Sequence, residues 1–296
     1  MTRVGFVGLG VMGAPMAANL TKSGHDVRGF SRSRATRSAA AARGVPVVDS
    51  VHEAVDGAEV VFTMLPDSPD VRAVIDAIED RLAPGTLFID ASTIDPDAAR
   101  QNAARFAARG VEAVDAPVSG GESGAIEGAL SVMVGGEPSA VERARPLLRA
   151  VGRIIVHVGA AGSGQVVKAA NQLMVAIHLE ALAEALILLE ASDVPLEDAL
   201  DVIAGGLAGS AVLERKREAM LRGDFAPGFR LALHDKDLGI VARSARAAGA
   251  ALPLTSLASS FVASAVARGD GDLDHSALYK LQRTLNGFVP DGKDTE

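Results

Sequence analysis

The segment GQVVKAANQ (164–172) places a single lysine, Lys168, among apolar residues and carboxamides. On a helix, Lys168, Asn171 and Gln172 occupy neighbouring positions of one face, so the two carboxamides could orient the ammonium group and a bound hydroxyl. A lysine held in this way can protonate an oxyanion or deprotonate an alcohol. Spacing alone leaves two interpretations open: an acid/base residue in a cleft, or a lysine that extends its stem along a buried helix.

A second polar segment, PVSGGESGA (117–125), has a composition suited to holding an anion. Ser119 offers a hydroxyl, and Gly120 and Gly121 leave their backbone N–H groups unshielded beside it. Such a set of donors favours a carboxylate. An ordinary glycine-rich turn has the same composition, so this interpretation also stays open.

A glycine-rich loop, GLGVMG, joins a predicted strand at 3–8 to a predicted helix at 12–22. This is the G-x-G-x-x-G pattern in the strand–turn–helix context of dinucleotide-binding loops. Its glycines permit a tight turn, the approach of a pyrophosphate and close helix–strand packing, and the helix N-terminus supplies N–H donors. A glycine turn can also be only a turn. The predicted cofactor-binding residues are Gly8, Leu9, Gly10, Val11, Met12 and Gly13.

The residues after the second predicted strand (25–30) indicate which dinucleotide would bind. Ser31, Arg32 and Ser33 stand where an acidic residue would accept from the ribose 2′-hydroxyl of NAD. A guanidinium with two hydroxyls instead suits the 2′-phosphate of NADP. The sequence therefore predicts NADP as the preferred cofactor, with NAD as the alternative, although Arg32 considered alone could be an ordinary surface residue.

Two further segments follow predicted strands, at the edge where open parallel sheets bind ligands. In MLPDS, Met64, Leu65 and Pro66 could cover a cofactor, but Pro66 is equally typical of a proline that ends a strand. In DASTIDP, Ser92 and Thr93 could contact a ligand or simply cap the following helix.

An α/β fold would bring these ligand-binding segments together, because several of them follow predicted strands. Alternating strand and helix patterns predict an N-terminal Rossmann-type doubly wound sheet, and after Gly164 only helical patterns follow. We predict an NADP-binding domain over 1–162 and an all-helical substrate and oligomerisation domain over 163–296. The second domain begins with a long interdomain helix, and we expect a cleft at the junction. The polar tail at 290–296 should fray. The predicted strands are 3–8, 25–30, 59–64, 86–91, 111–116, 130–135 and 154–158.

Composition excludes several classes of function. The net charge of −8 disfavours nucleic acid and anionic membranes as partners. The apolar run at 173–191 contains one histidine and three glutamates, which opposes a membrane span. The chain has no cysteine, which fits a reducing cytoplasm. Neither a G-x-S-x-G elbow nor a phosphate-loop motif is present, and the histidines form no H-x-x-x-H pair, so no metal site is predicted.

Five motifs, in order over nearly the whole chain, resemble the β-hydroxyacid dehydrogenase family: GFVGLGVMGAPMAANL, DASTIDP, DAPVSGGESGAIEGALSVMVGG, GSGQVVKAANQ and HDKDL. The resemblance implies that Lys168 is the catalytic acid/base and Asn171 a hydrogen-bonding partner of the substrate. It implies that Ser119, Gly120 and Gly121 hold the substrate carboxylate. Many members have Asn where this chain has Gln172, and many carry an acid at the Ser31 position. The residues implied to line the cofactor are Leu65, Pro66, Thr93 and Lys236.

Within that family, the stretches GGLAGSAVL, PGFRLALHDKDL, LPLT and DHSAL most resemble the tartronate semialdehyde reductase branch, which also resembles this chain at Gln172. The implied reaction is the reduction of tartronate semialdehyde to D-glycerate. The alternatives are 3-hydroxyisobutyrate, succinic semialdehyde or glyoxylate as substrate, and, in another class, a nucleotide-binding sensor or scaffold without turnover. A small hydroxy or oxo acid is the expected ligand, and a homodimer or homotetramer the expected assembly.

Overall fold

An eight-stranded sheet organises the first part of the chain in this computed structural model, which describes residues 1–288. The strand order is β2-β1-β3-β4-β5-β7-β6, and β8 pairs with β7. Neighbours are parallel from β2 to β5, β7 is antiparallel to β5 and β6, and β8 is parallel to β7. The strands are β1 (Arg3–Val7), β2 (Asp26–Phe30), β3 (Val60–Thr63), β4 (Leu87–Asp90), β5 (Glu112–Asp115), β6 (Val118–Ser119), β7 (Leu130–Gly136) and β8 (Gly152–Gly159).

Helices cover both faces of this sheet, because its strands are apolar on both sides. Phe6 and Phe62 stack at 5.1 Å in one core, and Phe88 packs on Phe106 at 4.6 Å in the other. Adjacent residues of β3 face opposite cores, as strand geometry requires. The predicted doubly wound sheet is confirmed. Its helices are α1 (Gly13–Lys22), α2 (Arg34–Ala42), α3 (Val51–Val55), α4 (Ser68–Ile78), α5 (Pro96–Ala107), α6 (Gly121–Glu127) and α7 (Pro138–Val151).

The chain separates into two compact units, Met1–Lys168 and the residues from Ala169 on. The long helix α8 (Ser163–Ala191) begins in the first unit and continues in the second. No strand follows it among the residues described up to 288; one isolated bridge joins Arg230 to Asp274. The remaining helices are α9 (Leu196–Ala204), α10 (Ala211–Arg222), α11 (Leu231–Ala247), α12 (Pro253–Ala267) and α13 (Leu278–Leu285).

The second unit has its own apolar core, built mainly from leucine, alanine and valine. Tyr279, the one tyrosine of the chain, lies in this core at 5% exposure, and its hydroxyl donates to Glu190 Oε2 at 3.0 Å. Burial, followed by this carboxylate, raises the pKa of Tyr279 to about 12. The predicted long helix and helical C-terminal part are confirmed, whereas the predicted polar tail at 290–296 lies outside the described residues.

By length and composition alone, α8 could cross a membrane, and 44% of its most apolar window is buried. A core helix of a soluble protein meets the same criteria, so the match is weak evidence for a span. Glu180 lies on this helix and accepts a hydrogen bond from Gln282 within the second unit. Ionisable residues are rare in membrane-spanning helices, so a glutamate in the middle of α8 opposes a span.

Candidate active site

The glycine loop after β1 has the geometry of a phosphate cradle. Gly8 has a φ of +103°, and a Cβ there would lie 2.1 Å from the carbonyl oxygen of Met64. A Cβ on Gly13 would lie 1.8 Å from the carbonyl oxygen of Gly8, so the first helix can begin this close to the strand only with glycine. A Cβ on Gly10 would meet nothing within 4 Å, which leaves space over the loop for a pyrophosphate.

The N-terminus of α1 is suited to an anion. No side chain caps it at Met12, and its first turn contains no acidic residue. The helix dipole at this end therefore favours a negatively charged ligand. Leu9 is 2% exposed and packs in the core, so it would contact a cofactor through its backbone, whereas Val11 is exposed. β1 is also the strand at which the order of the sheet reverses, which is where ligands bind in open α/β sheets.

The residues after β2 include an exposed guanidinium, that of Arg32. Ser33 caps α2 by accepting from the backbone N–H of Thr36 at 3.3 Å, and Arg37 donates to the carbonyl oxygen of Ser31 at 2.7 Å. The Arg32 side chain is 82% exposed, and its Nη2 pairs with Asp70 Oδ1 at 2.8 Å. Exposed ion pairs contribute little to stability, so a phosphate could replace Asp70 at small cost.

The loops that follow β3 and β4 are bonded to each other. The backbone N–H of Leu65 donates to Ser92 Oγ at 2.9 Å, and Ser92 is fully buried. The N-cap of α5 is Asp95, which accepts from the backbone N–H of Asp97. The interpretation of Ser92 and Thr93 as helix caps is therefore wrong. Met64 and Leu65 are half-buried, and Pro66 is exposed.

Asp90, the last residue of β4, is a buried carboxylate without a cationic partner. Its Oδ1 accepts from the Thr63 hydroxyl at 2.9 Å and from the backbone N–H of Ser92 at 3.0 Å. Its Oδ2 has no hydrogen-bond partner among the described residues. Asp90 and Asn102 both line a small cavity. Burial raises the pKa of Asp90 to about 6, against the effect of its donors.

Asp115, the last residue of β5, holds the start of α8. Its Oδ1 accepts from the backbone N–H of Gly162 at 2.7 Å, and its Oδ2 from that of Gln165 at 3.0 Å. A Cβ on Gly164 would lie 2.4 Å from the carbonyl oxygen of Met133, so only glycine lets the helix start against β7. Burial raises the pKa of Asp115, and these backbone donors oppose that shift.

Lys168 lies on the second turn of α8 and is 6% exposed. Gln165, three residues earlier, is 1% exposed and is bonded through its carboxamide to the backbone of residues 92 and 94. Gln165, Asp90 and Asp115 were not among the site residues predicted from sequence. The only signal for the two aspartates was a carboxylate at the end of an apolar strand, in TLFIDA and VEAVDA.

The predicted carboxylate-binding residues lie between β6 and α6. Ser119 ends β6 and is half-buried. Gly120 and Gly121 have φ of +141° and +66°, and a Cβ on Gly121 would meet nothing within 4 Å. Consecutive positive φ values explain why both positions are glycine, and the open side of Gly121 leaves room for a ligand. The three residues belong to the unit that contains Lys168 and the glycine loop.

Within the second unit, the remaining predicted residues form a chain of hydrogen bonds. Asn171 Nδ2 donates to Gln172 Oε1 at 2.9 Å, and Gln172 Nε2 donates to Asp237 Oδ2 at 2.5 Å. Lys236 pairs with the other oxygen of Asp237 at 2.7 Å. A buried histidine, His234, meets the backbone oxygen of Gln172 at 3.2 Å. Gln172 thus connects Asn171 to the HDKDL segment.

Comparison with known families assigns both parts of the chain. Residues 3–159 match the NAD binding domain of 6-phosphogluconate dehydrogenase, and residues 162–282 match the NAD-binding family of NADP-dependent 3-hydroxyisobutyrate dehydrogenase. The chain belongs to the β-hydroxyacid dehydrogenase family. It is therefore an NAD(P)-dependent oxidoreductase that acts on a short hydroxy acid, and a nicotinamide dinucleotide is its cofactor.

Relatives of this dehydrogenase carry different substrate names. An Escherichia coli 2-hydroxy-3-oxopropionate reductase is 37% identical over 279 residues, which are 93% of this chain and 95% of the relative. A Pseudomonas aeruginosa NAD-dependent L-serine dehydrogenase is 37% identical over 291 residues, 95% and 98% of the two chains. A Mycobacterium tuberculosis 3-hydroxyisobutyrate dehydrogenase structure with L-serine has a TM-score of 0.87 at 41% identity, covering 96% of this chain and 99% of that one.

Proposed function

We propose that this dehydrogenase reduces tartronate semialdehyde (2-hydroxy-3-oxopropanoate) to D-glycerate with NADPH, and that Lys168 is the general acid. The observation that carries the proposal is the burial of Lys168, 6% exposed, in the same unit as the glycine loop. A lysine is rarely buried to this extent without a specific role or partner. In the reverse direction, the same residue would take the proton from the hydroxyl group.

The glycine loop fits the cofactor, because Gly10 leaves an open cradle and the α1 N-terminus favours an anion. When bound, the nicotinamide supplies hydride to the carbonyl carbon. Lys168 then gives its proton to the carbonyl oxygen, on which negative charge develops. The Ser119 hydroxyl and the N–H groups of Gly120 and Gly121 hold the carboxylate and so fix the distance of the carbonyl from Lys168.

We propose substrate or cofactor contacts for the remaining predicted residues as well. Asn171 hydrogen-bonds the substrate, and Gln172 supports it through the 2.9 Å bond between their carboxamides. Leu65, Pro66, Thr93 and Lys236 contact the cofactor. The Arg32 guanidinium binds the 2′-phosphate in exchange for Asp70, which gives the preference for NADP over NAD.

Tartronate semialdehyde is favoured over other short acids by two observations. The E. coli reductase of this name matches 93% of the chain, and the C-terminal motifs and Gln172 resemble that branch. The second candidate substrate is 3-hydroxyisobutyrate, because the M. tuberculosis dehydrogenase with L-serine is similar over 96% of the chain. Succinic semialdehyde, glyoxylate and a sensor without turnover are the further outcomes of the test.

The deciding experiment follows the consumption of NADPH and NADH separately with tartronate semialdehyde. We expect turnover with NADPH preferred, and we expect Lys168→Ala to abolish turnover while NADPH binding stays measurable. The matched control is Lys22→Ala, at the exposed end of α1 in the same unit, which should keep the wild-type rate. Retained turnover in Lys168→Ala would refute the role of the lysine. NADPH binding without turnover of any short oxo acid would favour the sensor.

We also propose that residues 163–296 form the oligomerisation domain of a homodimer or homotetramer, next to an NADP-binding domain over 1–162. In the second unit, α8 exposes Met174 at 55% and Leu188 at 69%. Apolar side chains exposed on one long helix are typical of a contact between subunits. A strictly monomeric species in analytical ultracentrifugation would contradict this assembly.

A further inference from the structure

Gln165 uses both ends of its carboxamide to hold the segment after β4. Its Nε2 donates to the carbonyl oxygen of Ser92 at 2.8 Å, and its Oε1 accepts from the backbone N–H of Ile94 at 3.0 Å. These two backbone groups flank Thr93. The side chain is 1% exposed, so water cannot substitute for either bond.

The backbone of Gln165 is fixed as well. Its N–H donates to Asp115 Oδ2 at 3.0 Å, which attaches the first turn of α8 to the end of β5. Ser92, on the other side of the carboxamide, accepts from Leu65 and donates its own N–H to Asp90. The ends of β3, β4 and β5 and the start of α8 are therefore joined by hydrogen bonds that converge on Gln165 and Ser92.

Lys168 lies three residues after Gln165, so less than one helical turn separates them. Rotation or translation of the first turn of α8 would move the Lys168 ammonium group relative to the loop that contains Thr93. Catalytic rates are sensitive to such movement, because a displacement of about 1 Å can lower a rate by about 100-fold. The hydrogen bonds of Gln165 oppose this motion directly.

We propose that Gln165 is a positioning residue for Lys168, fixing α8 against the loop that carries Thr93; this rests on the proposed acid/base role of Lys168. The requirement is for a neutral group that donates and accepts at once. A carboxylate of the same size can only accept, so it would repel the Ser92 carbonyl oxygen. A protonated carboxyl group can again do both.

This difference makes Gln165→Glu a sharp test. At pH 8 we expect its kcat to fall at least 10-fold, and by a larger factor than its NADPH affinity, because Lys168 is displaced while the glycine loop is unchanged. As pH falls, the buried carboxyl group protonates and donates to the Ser92 carbonyl. The ratio of its kcat to that of wild type should then recover. Gln165→Leu, which can make neither bond, should be slow at every pH.

The matched control is Gln101→Glu, on the exposed side of α5, whose kcat should equal that of wild type at every pH. The isotope effect with NADPH deuterated at the transferred position gives a second readout. It should rise in both Gln165 variants, because a misplaced lysine slows the chemical step. Assays use whichever short oxo acid the wild-type enzyme turns over.

Two results would overturn the inference. One is a wild-type kcat in Gln165→Glu at pH 8. The other is a parallel loss of NADPH affinity, melting temperature and kcat, which would show a purely structural role. If Gln165→Leu fails to fold, the pH profile of Gln165→Glu against wild type still decides. Retained turnover in Lys168→Ala would instead contradict the proposed function, so the two failures are distinguishable.

Discussion

The buried aspartates of the two units differ in their hydrogen-bond partners. In the first unit, Asp90 and Asp115 accept hydrogen bonds only from hydroxyl and backbone N–H groups. In the second, both oxygens of Asp274 accept from Lys216 Nζ at 2.9 Å, and Oδ2 also accepts from the backbone N–H groups of Gly228 and Phe229. Asp90 and Asp274 are 4% and 2% exposed, so they differ in partners rather than in burial.

The partners determine the direction of the pKa change. Burial raises the pKa of Asp90 to about 6 despite three hydrogen-bond donors. Burial acts on Asp274 in the same direction, but His275 and Lys216 outweigh it and lower the pKa to about 2. At Asp90 the neutral donors only moderate the effect of burial, whereas at Asp274 the charges of His275 and Lys216 help to reverse it. Asp90 and Asp115 end β4 and β5, at the same edge of the sheet as the glycine loop that we propose binds the cofactor.

The largest expected effect comes from removing the cation. Lys216→Met leaves a buried charge at Asp274 and should lower the free energy of unfolding at pH 7 by about 3 kcal/mol. Because the pKa of Asp274 is lowered, its ionised form stabilises the fold at any pH above the ordinary pKa of a carboxyl group. That stabilisation is lost as pH falls through about 2. Urea unfolding at pH 7 measures the change. The control Lys280→Met breaks the ion pair with Asp270. Because the Lys280 side chain is 47% exposed, the free energy of unfolding should fall by less than about 1 kcal/mol.

A smaller effect of opposite pH dependence is expected for Asp90→Asn. Because the pKa of Asp90 is raised, this residue contributes stability at a pH below the ordinary pKa of a carboxyl group. That contribution is lost as pH rises through about 6. The stability of wild type relative to the variant should therefore fall by about 2 kcal/mol between about pH 4.5 and 8. Calorimetry at the two pH values tests this. The control Asp56→Asn, at an exposed position, should have the same stability as wild type at both pH values. An equal change in stability in Asp56→Asn and Asp90→Asn would contradict the assignment to Asp90.

A further effect of similar size tests whether the hydrogen-bond partner or the unit determines the direction of the pKa change. Glu180 lies in the second unit but accepts from neutral Gln282, and burial, with repulsion from Glu184, raises its pKa to about 7. Its contribution is therefore lost as pH rises through about 7, as in the first unit. Urea unfolding at about pH 4.5 and 8 should show that Glu180→Gln removes a pH dependence of about 2 kcal/mol. If the stability of wild type relative to Glu180→Gln instead rises with pH, the hydrogen-bond partner does not determine the direction of the pKa change.

Local patterns predicted much of the fold. The apolar runs of β1, β3 and β4 and the glycine loop were identified because their residues are adjacent in sequence. β6 was missed because two residues are too few for a strand pattern. The hydrogen bonds of Gln165 join residues more than 70 positions apart, so no local spacing indicates them. The sequence left Ser92 open between a ligand contact and a helix cap for the same reason, since its partner Leu65 lies 27 residues earlier.

Tyr279 has a spectroscopic consequence. The chain has no tryptophan and no other tyrosine, so its intrinsic fluorescence arises from a single side chain in the core of the second unit. That emission reports the second unit alone, while the first unit has only phenylalanines as aromatic residues. One sample could therefore report the second unit by tyrosine emission and cofactor binding by nicotinamide emission.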